Sequence, residues 1–212
     1  MQNLNPFLPK RAFVVLFVAL FVACNKQPPA PGGYETIYLP QEARALFNAT
    51  LGEVRIYKDS ATGMYDTARC TDAKFYFIKT RIGDQILFEE EAFNVHFLHS
   101  FYRTSFYYST RLALHSDGRE YFYVSEKGQS YLLRFPLVPG DSISDGNTSS
   151  YSVLKAFYPT LEIGNKTFEN VYFIKRNGVP ARFSSDADYY IARNRGIVAI
   201  REYKSNKLWI LQ

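Results

Sequence analysis

"RLALHSDGREYFYV", Arg111 to Val124, is the stretch on which the fold turns. Two short runs, Arg111 to His115 and Glu120 to Val124, flank Ser116-Asp117-Gly118-Arg119. Asp-Gly between such runs is a strong hairpin signal, because both residues tolerate the positive φ of a tight two-residue turn. Working outward, the same grammar repeats. Glu53 to Lys58 and Asp66 to Thr71 flank Asp59-Ser60-Ala61-Thr62-Gly63, and Lys74 to Thr80 and Gln85 to Glu89 flank Gly83-Asp84. Phe93 to Tyr108 reads as one long aromatic strand or two broken ones, and Gln129 to Phe135 follows Lys127-Gly128.

Beyond a polar, turn-rich loop from Pro136 to Ser150, the pattern resumes. Tyr151 to Tyr158 and Thr160 to Ile163 lead into the Gly164-Asn165 turn and Thr167 to Lys175. Tyr189 to Ala192, Ile197 to Tyr203 and Leu208 to Leu211 close the chain. Ile197 and Ala199 alternate with Val198 and Ile200, so both faces of that strand are apolar and it is expected to be covered on both sides. Trp209, the one tryptophan, is expected to be buried in the closing strand. Spacing near ten residues predicts an antiparallel meander curled into an open or half barrel.

One helix signal stands apart. Pro40 precedes good helix formers through Phe47, and Leu39, Ala43, Leu46 and Phe47 would form its apolar face. The remaining composition agrees with an all-β fold carrying one short N-terminal helix: 17% of residues are aromatic, with 18 Phe and 17 Tyr.

The N-terminus decides the compartment. Lys10 and Arg11 precede an apolar run, Ala12 to Val22, too short to span a bilayer, which takes about 20 residues. It has the length of a secretory h-region. Phe21-Val22-Ala23-Cys24 has the form of a lipobox, with Ala23 directly before the cysteine that would be cleaved and lipidated. The division expected is a signal peptide over 1–23, a Pro/Gly-rich tether over 24–33 and a single β domain over 34–212. Multiple acyl chains on Cys24 would hold the protein on a membrane stably. Asn25-Lys26-Gln27 carries no acidic surface-export signal, so a periplasm-facing, outer-membrane protein is expected.

The formal charge of +5 falls to about +3 on loss of Lys10 and Arg11, and the other cations are scattered, which argues against nucleic-acid binding. With Cys24 lipidated, Cys70 has no disulfide partner and reads as a small buried hydrophobe.

Chemistry is sparse. His96 and His99 would share a helix face but oppose each other on a strand, which predicts no shared metal site. His115 reads as a turn-edge residue. Asp141-Ser142-Ile143-Ser144-Asp145-Gly146-Asn147 has Ile143 at the third calcium-loop position and Ser152 at the twelfth, so the match fails. Glu89-Glu90-Glu91 reads as a solvated strand end. No nucleophile elbow, phosphate loop or zinc spacing occurs. No catalytic residue, metal site or cofactor is expected.

Two stretches carry a resemblance. "YLPQEARALFNATLGEVRIYKDSATGMYDTARC", Tyr38 to Cys70, and the layout of Leu161 to Tyr203 resemble lipoproteins of Bacteroidota, some of them similar to the open β-barrels of carriers such as LolA and LolB. The second stretch has a Gly turn, Asn-Val-Tyr, a Tyr-Tyr-x-Ala strand and a Gly-Ile-Val strand. The resemblance implies an outer-membrane lipoprotein of open-barrel fold, and function by analogy alone. It also makes Ser60, Thr67 and Ser142 candidate O-glycosylation acceptors, since each follows Asp and precedes Ala or Ile; plain turn chemistry accounts for them equally.

Three functions compete. The first is a non-enzymatic lipoprotein binding a hydrophobic ligand or an envelope protein partner. The second is a structural subunit of a larger outer-membrane complex. The third, an unrecognised hydrolase, has least in the sequence behind it. An apolar cavity open to solvent would favour the first, a flat exposed apolar face the second, and a base beside Ser or Cys in a pocket the third.

Overall fold

The structure, a computed structural model, describes residues 33–100, 106–114, 120–126, 130–144, 151–177, 187–203 and 205–212. They form thirteen strands in one sheet and one helix, α1, Gln41–Phe47. After β1, Glu35–Ile37, the strands are β2, Val54–Asp59; β3, Tyr65–Ile82; β4, Gln85–His99; β5, Phe106–Leu114; β6, Glu120–Glu126; β7, Ser130–Phe135. The second half holds β8, Ser142–Ser144; β9, Tyr151–Ile163; β10, Lys166–Asn177; β11, Ala187–Ala192; β12, Gly196–Glu202; β13, Lys207–Leu211.

From β2 to β7, and again from β8 to β13, each strand pairs antiparallel with the next, and β13 pairs with β2. The meander therefore closes at β13–β2 and stays open between β7 and β8. Side chains draw the open edges together: Ser152 Oγ donates to Tyr131 O at 3.0 Å, and Arg134 pairs with Asp141 at 2.6 Å. The result is the all-β half-barrel expected, with the one helix near its start. β1 is the exception in direction, lying parallel against Phe88–Glu90 of β4.

Several elements differ from the sequence reading. Asp66 to Thr71 and Lys74 to Thr80 are one strand, because a bulge between Cys70 and Asp72 lets the ladder with β4 continue. Likewise β9 runs through Pro159. The aromatic run splits into β4 and β5, and β1 and β8, each three residues long, are too short to show a period.

Helix α1 lies on the concave side. Leu39, Ala43, Leu46 and Phe47 are all buried, as its pattern predicts, and Phe47 stacks on Phe93 with ring centroids 5.5 Å apart. Polar ties set its position. Glu91 of β4 accepts from Leu39 N at 3.1 Å and pairs with Arg44; Tyr172 Oη donates to Glu42; Asn194 N donates to Ala45 O at 2.6 Å. This corrects the reading of Glu89-Glu90-Glu91 as a solvated strand end. Glu90 and Glu91 are buried, and Glu91 is tolerated there because Arg44 and the Leu39 amide satisfy it.

A second apolar cluster occupies the other face of the sheet. Ile163 and Phe168, near the tip of the β9–β10 hairpin, pack with Val198, Ala199 and Ile210. Ile210 is three strands away from β10 in the ladder, so the hairpin must curl across the outside to reach it. Strand β12 is thus covered on both faces, as its sequence predicts. The partition differs, however. A register shift between Tyr190 and Ile191 makes Val198 an extra residue, so Ile197 and Ile200 face the main core while Val198 and Ala199 face the second cluster.

Candidate functional site

Among the described residues, two regions could hold something, and they differ in access. The first is enclosed. Leu46 and Phe47 of α1 meet Arg55, Tyr57, Val95, Phe97, His99, Gly196 and Ile197 around a space of about 20 Å³, room for about one water. Its polar members are tied down. Arg55 donates to Glu53 at 2.6 Å and to Asn48 O at 3.3 Å, and its guanidinium lies 4.4 Å from the Phe97 ring centre. Gly196 has φ +70, a backbone conformation that favours glycine, and a Cβ there would displace that guanidinium. Tyr57 Oη donates to Ile197 O at 2.9 Å. Burial pushes the Tyr57 phenol up to about 12, against the opposing charge of Arg55, so it remains a neutral donor at physiological pH.

The strand alternation of His96 and His99 holds. His96 lies half-exposed and bonded to Thr71 Oγ1 at 2.7 Å, whereas His99 is buried with Nδ1 2.5 Å from Asp66 Oδ2. Asp66 also accepts from Ser100 Oγ at 3.2 Å. Serine is therefore bonded to the acid rather than to the imidazole. Nucleophile activation needs the reverse order, with the base on the hydroxyl and the acid behind the base.

The second region is open. Over paired residues of β5, β6 and β7, beside the connection from β7 to β8, a cleft of about 580 Å³ is lined by Ile37, Leu112, Phe122, Phe135, Pro136 and Val138. Its polar wall is Tyr121, Arg134 and Asp141. Arg134 lies 4.7 Å over the Tyr121 ring and is held by Asp141, whose carboxylate raises the guanidinium pKa further. The volume lies within the range of about 300–1,000 Å³ of small-molecule sites, and apolar walls with a few fixed polar groups are their usual composition. The sequence reading missed this cleft by treating Pro136 to Ser150 as uniformly polar. Pro136-Leu137-Val138-Pro139 at its start is apolar, and that was the signal available.

The remaining predicted positions separate. Cys24, His115 and Asp145 to Ser150 lie outside the described residues. Cys70 is buried in the main core, where burial raises its thiol pKa; its Sγ lies 3.3 Å from Asp72 O. Asp141 serves Arg134 and Ile143 is buried, and among the described residues no group of three His, Cys, Asp or Glu could hold a metal. Ser60 and Ser142 are exposed, and Thr67 is half-buried on β3. No described helix is long and apolar enough to cross a membrane.

Asp59, beside Ser60, is fully buried and organises its turn. It accepts from Thr62 Oγ1 at 2.5 Å, from Thr62 N at 3.2 Å and from Leu208 N at 3.2 Å, which ties the β2–β3 turn to the closing strand. Burial raises its pKa, and these donors outweigh burial and hold the carboxyl below its ordinary value. A carboxyl depressed in the folded state stabilises above its unfolded pKa, near 4, and loses that contribution as pH falls through the folded value. Asp59→Ala is expected to cost about 1–3 kcal/mol at neutral pH. The gap from wild type should close in acid below the folded pKa, read from urea midpoints across pH; a gap independent of pH would refute the role.

Comparison of the chain with protein-family models, with curated proteins and with solved structures finds no match.

Proposed function

We propose that the protein is a non-enzymatic lipoprotein, anchored through Cys24 to the outer membrane and facing the periplasm, whose half-barrel holds a hydrophobic ligand in the cleft beside the β7–β8 connection. The observation that carries this is the cleft itself. It is open and its walls are mainly apolar. The concave face near α1 is a filled core and offers no comparable space. No cofactor is needed for such a role.

The second reading, a subunit of a larger outer-membrane complex, draws on a different surface. Val54 and Ile56 on β2 and Leu98 on β4, on either side of Arg69 of β3, lie exposed on one face and could dock a protein.

Mass spectrometry of protein purified from its native envelope tests the first reading. Under native conditions the wild type should carry an extra mass of an acyl-chain lipid that disappears on denaturation, which separates it from lipid covalently held on Cys24. Val138→Asp places a charge in the cleft at an exposed position and should release that ligand without lowering thermal stability. A wild-type protein free of non-covalent lipid would overturn the binding reading.

A further inference from the structure

The β3–β4 hairpin is much longer than the sheet that flanks it. β3 pairs with β2 only up to Arg69, and β5 covers β4 only from Asn94 onward. Between Asn94 and the turn at Gly83, the hairpin has two further neighbours among the described residues: the three-residue β1, and α1, whose Arg44 pairs with Glu91 and lies 5.2 Å from the Phe75 ring centre. This projecting half is unusually apolar for its exposure. Ile82 is 70% exposed, Phe77 47%, and Phe75, Leu87 and Tyr38 are each more than 40% exposed, with Tyr38 edge-on to Phe77 at 6.0 Å. Ile82 and Leu87 lie at the tip, Phe77 lies further back on the opposite face of β3 from Ile82, and Phe75 lies nearer the base against Arg44 of α1.

The chain enters the fold at the same end. β1 runs parallel to β4 with Glu35 beside Phe88, three residues from the start of β4, so Gly33 lies towards the hairpin turn. Cys24 precedes Gly33 by a Pro-rich segment, which at about 3 Å per residue reaches no more than about 30 Å. If Cys24 carries lipid, the tether begins at the bilayer and ends at the apolar hairpin.

We infer that the distal β3–β4 hairpin is a second membrane contact, its Ile82, Leu87 and Phe77 side chains entering the interfacial layer of the bilayer that holds Cys24. This rests on the anchoring part of the function proposed above. Phe and Tyr beside Lys and Arg is the composition that suits a lipid interface, where rings sit among headgroups and long cations reach back to water. Lys79, which also lies 3.9 Å from Glu89, and Arg81 provide those cations. The same charges along an exposed strand edge discourage pairing with a strand of another protein, which favours the bilayer as occupant.

The test uses the full lipidated protein in vesicles of phosphatidylethanolamine and phosphatidylglycerol with brominated acyl chains. Flotation of the wild type reports the anchor. Ile82→Trp reports the hairpin, and Leu51→Trp serves as control, since Leu51 is exposed and adjoins Gly52, whose amide bonds Cys70 O before the bulge. Emission from buried Trp209 in the wild type is subtracted. Emission from the tryptophan introduced by Ile82→Trp should shift to shorter wavelength and be quenched several-fold, and that from Leu51→Trp should not. Flotation without quenching at position 82, or with equal quenching at both positions, would overturn the hairpin contact and leave the anchor standing. Failure to float would overturn both.

Discussion

Trp209→Ala is expected to lower stability by about 3–5 kcal/mol, a large share of the 5–15 kcal/mol typical of a domain. Trp209 is 2% exposed and belongs to the main core. It lies opposite Ile200 on one side and Asp59 on the other, so it occupies the ladder that closes the meander between β12, β13 and β2. Lys207 Nζ lies 5.2 Å from its ring centre, shielding one side of the indole. Loss of the ring leaves a cavity at the closure, where neighbours from three strands cannot all collapse inward. For a domain of this size the thermal midpoint should fall on the order of 10 °C. A midpoint within a degree or two of wild type would show that the closure does not depend on the indole. The wild type offers an independent check, since its single tryptophan should emit at short wavelength until the domain unfolds.

Leu46→Ala should cost about 2–5 kcal/mol, and its consequence bears on function. Leu46 is fully buried and lines the enclosed space beside Arg55, Tyr57 and His99. Truncation enlarges a space that already has polar walls, and the enlarged cavity should fill with water rather than with an apolar guest. The urea midpoint should fall with an unchanged m-value, the signature of lost stability without a change in the surface exposed on unfolding. If the variant kept wild-type stability, α1 would be a lid resting on the half-barrel rather than part of its core. The concave face would then become the better candidate for the ligand site, in place of the cleft beside the β7–β8 connection.

Glu91 shows where the sequence reading failed and why. Within its own strand it belongs to a run of three acids, and local pattern alone assigns such a run to solvent. Its burial depends on Arg44, 47 residues earlier, and on the Leu39 amide, both delivered by a helix that packs against β4. The Thr71 and Val198 bulges are similar cases. Each adds one residue to one strand, which reverses the faces that simple alternation predicts, and the partner strand that defines the extra residue is not visible from the bulged strand itself.

By itself the sequence determined what depends on near neighbours. Gly83-Asp84 and Gly164-Asn165 turn the chain because their backbones accept positive φ at Gly83 and Gly164, and the helix buries Ala43, Leu46 and Phe47 because that spacing puts them on one face. The opposition of His96 and His99 follows from strand alternation in the same way. Only the tertiary structure decided that β13 pairs with β2, that β7 and β8 do not pair, and that Ile37, Leu112, Phe135 and Val138 line one cleft. Those contacts join residues as far apart in the chain as Tyr57 and Leu211. Their stability comes from burial of the whole sheet against the entropy of closing long loops, and neither quantity leaves a local pattern in the residues that eventually meet.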